Sequence, residues 1–266
     1  MHILFTDETN LPNDPGAKFF AYGGLIVPVE RLPEIHNCVE QIRQEAGYKE
    51  DDELKFETNA RPNQISIEQA TKVKGQVVDL CIELECKFIV YVILHAISQR
   101  TERTDLVNWG ANHVIGKFNR FLTINESHGI VALDRLSSTE EYKLITEKFN
   151  HGLILQDDKK VKLDKILLFS STCINASHAC SAMDIVLGSF RYCINNPLNL
   201  EAARTMMKNI TKLIWCHRSG EDIYPMEKGL IFRPKDITVA KYKAEYDNLL
   251  AHINMLIEEN QKESKP

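Results

Sequence analysis

Five strand-length apolar runs alternate with segments of helical periodicity, and that alternation limits the chain to an α/β architecture more than any other property it has. The runs are HILFT at 2–6, KFFAYGGLIVP at 18–28, CKFIVYVILH at 86–95, GIVAL ahead of Asp134, and KILLFSS at 165–171. Between the second and third, Leu32, Ile35, Val39 and Ile42 predict a helix over about 30–46, closed by Gly47. Val73, Val77, Leu80 and Leu84 predict another over 66–85, with Ser66 at the cap position and Glu68 as an early acid. Further helices are predicted over 105–123, 138–149 and 177–193. The turn-rich LPNDPG makes the first two strands a hairpin, while the helices between later strands permit parallel crossovers. The expected fold is therefore a mixed sheet flanked by helices.

With 266 residues, 44% of them hydrophobic, the chain can fill one large core. No run approaches the roughly 18 apolar residues of a membrane span, and no basic, apolar and small-residue leader opens the chain, so a soluble cytoplasmic protein is expected. Seven cysteines with no C-x-x-C pair suggest neither a disulfide framework nor a zinc ribbon. A net charge of -5 argues against coating nucleic acid through bulk charge.

After Asn195-Asn196-Pro197 the pattern turns to helices without convincing strands, so a core over 1–195 and a helical C-terminal extension over 196–266 are expected, with ENQKESKP as a disordered tail. In the last helix Val239, Tyr242, Tyr246, Leu249, Ile253 and Leu256 form a heptad seam. It suits packing on the chain's own core or, alternatively, association with another copy or a protein partner.

The chemistry-bearing residues are acids. Asp7 and Asp134 each follow an apolar run at its carboxyl end, where α/β sheets present groups to a ligand. Glu53 lies in ELKF, and Asp184 interrupts the apolar helix SHACSAMDIVLGSFRYC, where an ionised group is costly unless paired, solvated or metal-bound. If these four meet, hard cations such as Mg²⁺ or Mn²⁺ suit them, and two ions about 4 Å apart can activate water and stabilise a phosphoryl leaving oxygen. Glu8 is expected to stand outside the ligand set. Lys55 is a candidate phosphate contact, with an ordinary salt bridge as the alternative.

Other chemistries have weaker support. SSTCINASHACS has no nucleophile elbow or protease signature around Cys173 or Cys180, and neither His178–Cys180 nor Cys216–His217 matches a closed zinc site. Gly23-Gly24 suggests a bulge or a close approach rather than a phosphate loop. Arg204, Lys208 and Lys212 form a basic stripe at four-residue spacing, and DDKKVKLDK is a second, mixed-sign cluster; such stripes are usually solvated faces, and the alternative is nucleic-acid contact that positions a strand without reading its bases.

Over residues 3–195 the order of short motifs resembles the domain-of-unknown-function family 3800. The motifs are Asp7-Glu8-Thr9, then Gly23-Gly24 with Val27-Pro28, then Glu53-Leu54-Lys55, then Leu133-Asp134-Arg135, then Asp184 in a late helix. The last departs from the family's usual Q-x-A-D, reading Ser181-Ala182-Met183-Asp184. The resemblance implies an RNase H-like fold, an association with phage defence and mobile elements, and Asp7, Glu53, Asp134 and Asp184 as metal-binding acids of a divalent-metal-dependent nuclease. The alternative is a non-catalytic binding or regulatory module on the same fold, acting through a protein partner.

Overall fold

The sheet grows outward from a hairpin. In a computed structural model, β1 (His2–Thr9) pairs antiparallel with β2 (Phe19–Pro28), which places Asp7 opposite Gly23 and Glu8 opposite Tyr22. The structure describes residues 1–10, 17–98, 101–135, 138–154, 160–195, 200–219 and 222–263; the predicted LPNDPG turn and part of DDKKVKLDK lie outside them. β2 is buried almost throughout and pairs on its other edge, again antiparallel, with β3 (Lys87–Leu94). β4 (Gly129–Asp134) joins β1 in parallel. The short strands β5 (Leu153–Ile154) and β6 (Lys160–Val161) form a separate hairpin, and β7 (Ile166–Thr172) adds to β4 in parallel. The expected α/β fold is therefore present: a mixed sheet with antiparallel β1–β3 and parallel β4 and β7, flanked by helices.

Helices cover both faces. On one lie α1 (Leu32–Ala46), α2 (Ile67–Glu83) and α6 (His178–Asn195), with Val39, Val77, Met183 and Leu187 buried against Phe5, Leu25 and Phe88. Gly47 closes α1 in the left-handed conformation, and Ser66 caps α2 in a reciprocal box completed by Gln69. The other face is covered by α4 (Arg103–Ile124), which follows the single turn α3 (His95–Ser98), and by α5 (Ser138–His151). Gly23 and Gly24 serve both faces. A Cβ on Gly23 would stand 2.7 Å from Met183 of α6, and one on Gly24 would stand 2.7 Å from Val114 of α4. The pair thus marks a close approach, the second of the two readings open in the sequence.

The segment beyond residue 195 corrects the expectation of helices alone. It contains α7 (Leu200–Leu213), the hairpin β8 (His217–Ser219) and β9 (Asp222–Tyr224), strand β10 (Leu230–Arg233) and α8 (Ala240–Glu263). β10 lies parallel to β3 as the sixth strand, giving the order β10-β3-β2-β1-β4-β7. Four residues bounded by Gly229 and Pro234 carry little strand signal of their own; the open edge of β3 supplies their hydrogen bonds. Met207 and Ile210 of α7, and Ile253 and Leu256 of α8, share one core with α2 and α6, so the two expected regions have no separate cores. The heptad seam packs inward at Tyr246, Ile253 and Leu256. The predicted tail is helical as far as Glu263, and residues 264–266 lie outside the described ones. Among the described residues no helix is long and apolar enough to cross a membrane.

Candidate active site

β1 and β4 run parallel with Phe5 aligned to Ala132, and two residues further along each strand stand Asp7 and Asp134. Residues two apart on a strand share a face, so this register brings two acids from distant parts of the chain to neighbouring positions. Asp7 belongs to β1 itself rather than to a turn after it, because pairing with Gly23 extends the strand past the apolar run. One carboxylate oxygen from each of Asp7, Glu8 and Asp134 lies within 4.8 Å of the other two. Glu8, expected to stand outside the ligand set, is thus in the cluster. Its side chain is 8% exposed, and Oε1 accepts a 2.6 Å hydrogen bond from Arg103 at the start of α4.

Asp184 opens onto the same cleft of about 460 Å³ with Asp7, Glu8, Asp134, Lys55 and Arg191. Its depth follows from Gly23, whose missing side chain lets the turn of α6 carrying Met183 and Asp184 settle on the sheet. Asp184 Oδ2 accepts a 2.6 Å bond from the Phe56 backbone N–H. That bond depends on Gly188, one turn along α6, where a Cβ would fall 2.2 Å from Phe56 Cγ. Arg43 fixes the approach to this segment by donating to the carbonyls of Lys49, Glu50 and Asp52.

The electrostatics are those of clustered anions. Burial, then the charges of Asp134, Asp184 and Glu8, push the Asp7 carboxyl well above the usual range. Asp134 is pushed up to about 6, chiefly by burial and secondarily by Glu8 and Asp184, against the Arg135 backbone N–H that favours the anion. Burial also raises Asp184, opposed by the Phe56 N–H and then by Arg191, Lys55 and Lys74.

Of the remaining expected site residues, Lys55 lines the cleft and the others stand apart from it. Glu53 Oε2 is 2.5 Å from Lys55 Nζ, and Oε1 accepts from Asn175; the side chain is 41% exposed and lines no part of the cleft, although Lys55 does. Arg204, Lys208 and Lys212 are exposed along α7, and none lines the cleft. His178 stacks on His36 and lies 3.1 Å from Glu40, while Cys180 shares a hydrogen bond with Thr172. Reasoning from sequence missed Arg103, Arg191, Phe56 and Gly188. The signal for two of them was the spacing Asp184, Gly188, Arg191, which puts all three on one face of α6.

No protein-family model matches the chain, and no curated protein matches it significantly. Among solved structures it is similar to a crystal structure of a mutant of Bst-RNase HIII, with TM-score 0.40 and 11% identity. The match covers 79% of this chain and 64% of that one, so this chain spans less than two thirds of that protein's length.

Proposed function

We propose that the chain is a divalent-metal-dependent nuclease of RNase H-like type, a member of the family that its motif order resembles. The convergence of Asp7, Glu8 and Asp134 at the ends of two adjacent strands carries this reading. The donor set fits a hard cation: the ligands are carboxylate oxygens, and three of the four acids in the cleft have raised pKa values that a bound cation would reverse. A thiolate site for a softer metal has no comparable support, since burial raises the Cys180 thiol and keeps its proton on. Mg²⁺ or Mn²⁺ would be held by Asp7, Glu8 and Asp134, with Asp184 completing the cleft, and would supply Lewis-acid stabilisation of charge developing on a phosphoryl group. The protein's part is to orient those carboxylates through the β1–β4 register and to hold Asp184 through Phe56.

The test is thermal unfolding during titration with Mn²⁺ and Mg²⁺, comparing the wild type with Asp7→Asn and Asp134→Asn. A ligand that binds only the folded state adds about 2.7 kcal/mol at one hundred times its dissociation constant. The wild-type midpoint should rise by roughly 5–10 °C, from the usual scaling for a domain of this size. Both variants should lose most of that rise, and both should lose cleavage of whichever oligonucleotide the wild type cuts. Equal responses in all three proteins would refute the metal site and favour the non-catalytic module.

A further inference from the structure

One wall of the cleft is cationic, and its most constrained member is Arg191. The Arg191 side chain lines the cleft beside Asp184 and is 27% exposed. Three groups fix it: Nη1 donates to Thr9 Oγ1 at 3.0 Å, Cζ stands 5.6 Å from the centre of the Phe56 ring, and Nη2 is 3.8 Å from Glu57. Phe56 also receives Lys74 Nζ at 5.0 Å, and this buried ammonium donates to Thr58. Lys55, next to Phe56, lines the same cleft.

A purely structural arginine looks different, and this protein contains one. Arg43 is 6% exposed and spends its guanidinium on three backbone carbonyls and Glu40. Arg191, among the described residues, commits one of its five N–H donors to a hydrogen bond. The cation–π contact with Phe56 and the tether to Thr9 orient the fork while leaving it donors for a ligand in the cleft. A planar fork held this way suits two oxygens of one phosphate, and Lys55, ion-paired with Glu53, adds a second cation to the lining of the same cleft. With a net charge of -5, the chain has no bulk attraction for an anion, so a local wall is needed to bring one to a cleft of acids.

We propose that Arg191, assisted by Lys55, binds a backbone phosphate of a nucleic-acid strand and so sets that strand's position against the metal-binding carboxylates. This rests on the nuclease reading and assigns its substrate-binding wall to the Phe56 segment and α6, in place of the basic stripe on α7. Phe56 is then a positioning residue, acting through Arg191 and Asp184 together.

The experiment measures fluorescence anisotropy of labelled single-stranded RNA, single-stranded DNA and an RNA·DNA hybrid with wild type, Arg191→Gln, Arg191→Lys and Lys208→Gln in Mn²⁺ across a salt series. Arg191→Gln should weaken binding of the preferred oligonucleotide at least tenfold. It should also flatten the dependence of log affinity on log salt by about 0.7–0.9 for each phosphate that the variant no longer neutralises. Arg191→Lys should fall between it and the wild type, and Lys208→Gln should match the wild type. Each variant's unfolding midpoint and its rise with Mn²⁺ are followed in parallel, so a misfolded variant is recognised and Arg191→Lys then carries the comparison. A folded Arg191→Gln or Arg191→Lys protein with wild-type affinity and salt slope would overturn the proposal, as would a wild type that binds none of the three oligonucleotides. Loss of the Mn²⁺ response in the wild type itself would instead overturn the nuclease reading beneath it.

Discussion

Replacing Asp134 by asparagine is expected to stabilise the metal-free protein at neutral pH, although it removes a proposed metal ligand. In the folded chain the Asp134 carboxyl holds its proton up to about pH 6, against an ordinary value of 3.8. Between those values the folded state binds more protons than the unfolded state, so stability falls as pH rises and the full penalty is present by about pH 7. At about 1.4 kcal/mol for each tenfold change, the shift would correspond to about 3 kcal/mol. The side chain is only half-buried, and solvent screening reduces the expected penalty to about 1–1.5 kcal/mol. Asparagine keeps an oxygen for the Arg135 backbone N–H and carries no charge against Glu8 and Asp184. Asp134→Asn should therefore melt roughly 2–5 °C above the wild type in chelator at pH 7.5, and the gain should shrink towards zero near pH 4. Saturating Mn²⁺ should reverse the order at pH 7.5. A variant no more stable than wild type in chelator at pH 7.5, or equally favoured at pH 4 and 7.5, would refute the account of the cluster as repulsive anions.

The same titration implies that Mn²⁺ affinity, measured calorimetrically, rises with pH through about 6, because the cation competes with the protons on Asp7 and Asp134. An affinity independent of pH between 5 and 7.5 would count against those ligands. Gly188→Ala should cost about 1–2 kcal/mol in urea unfolding, since overpacking against the Phe56 ring outweighs the gain in helix propensity, and it should weaken metal binding by displacing Phe56 from Asp184. Gly75→Ala, with nothing within 4 Å of the new Cβ, is its control and should stabilise α2 by about 0.5–1 kcal/mol.

The sequence by itself determined the main strands and helices of residues 1–195 and their type, because periodicity, caps and turns are local properties. Ser66, Gly47 and the β-branched run of β3 marked their elements without reference to anything distant. It also singled out Asp7, Asp134 and Asp184 as acids out of place on apolar elements. Only the tertiary structure decided which acids share a cleft. The β1–β4 register, joining positions more than a hundred residues apart, sets Asp134 beside Asp7 and Glu8. The depth of α6, set at Gly23 and Gly188, brings in Asp184 with Arg191 and leaves Glu53 paired to Lys55. β10 was hidden for the same reason: a four-residue strand exists only where another strand's unpaired edge provides its hydrogen bonds, and no local pattern records where that edge will be.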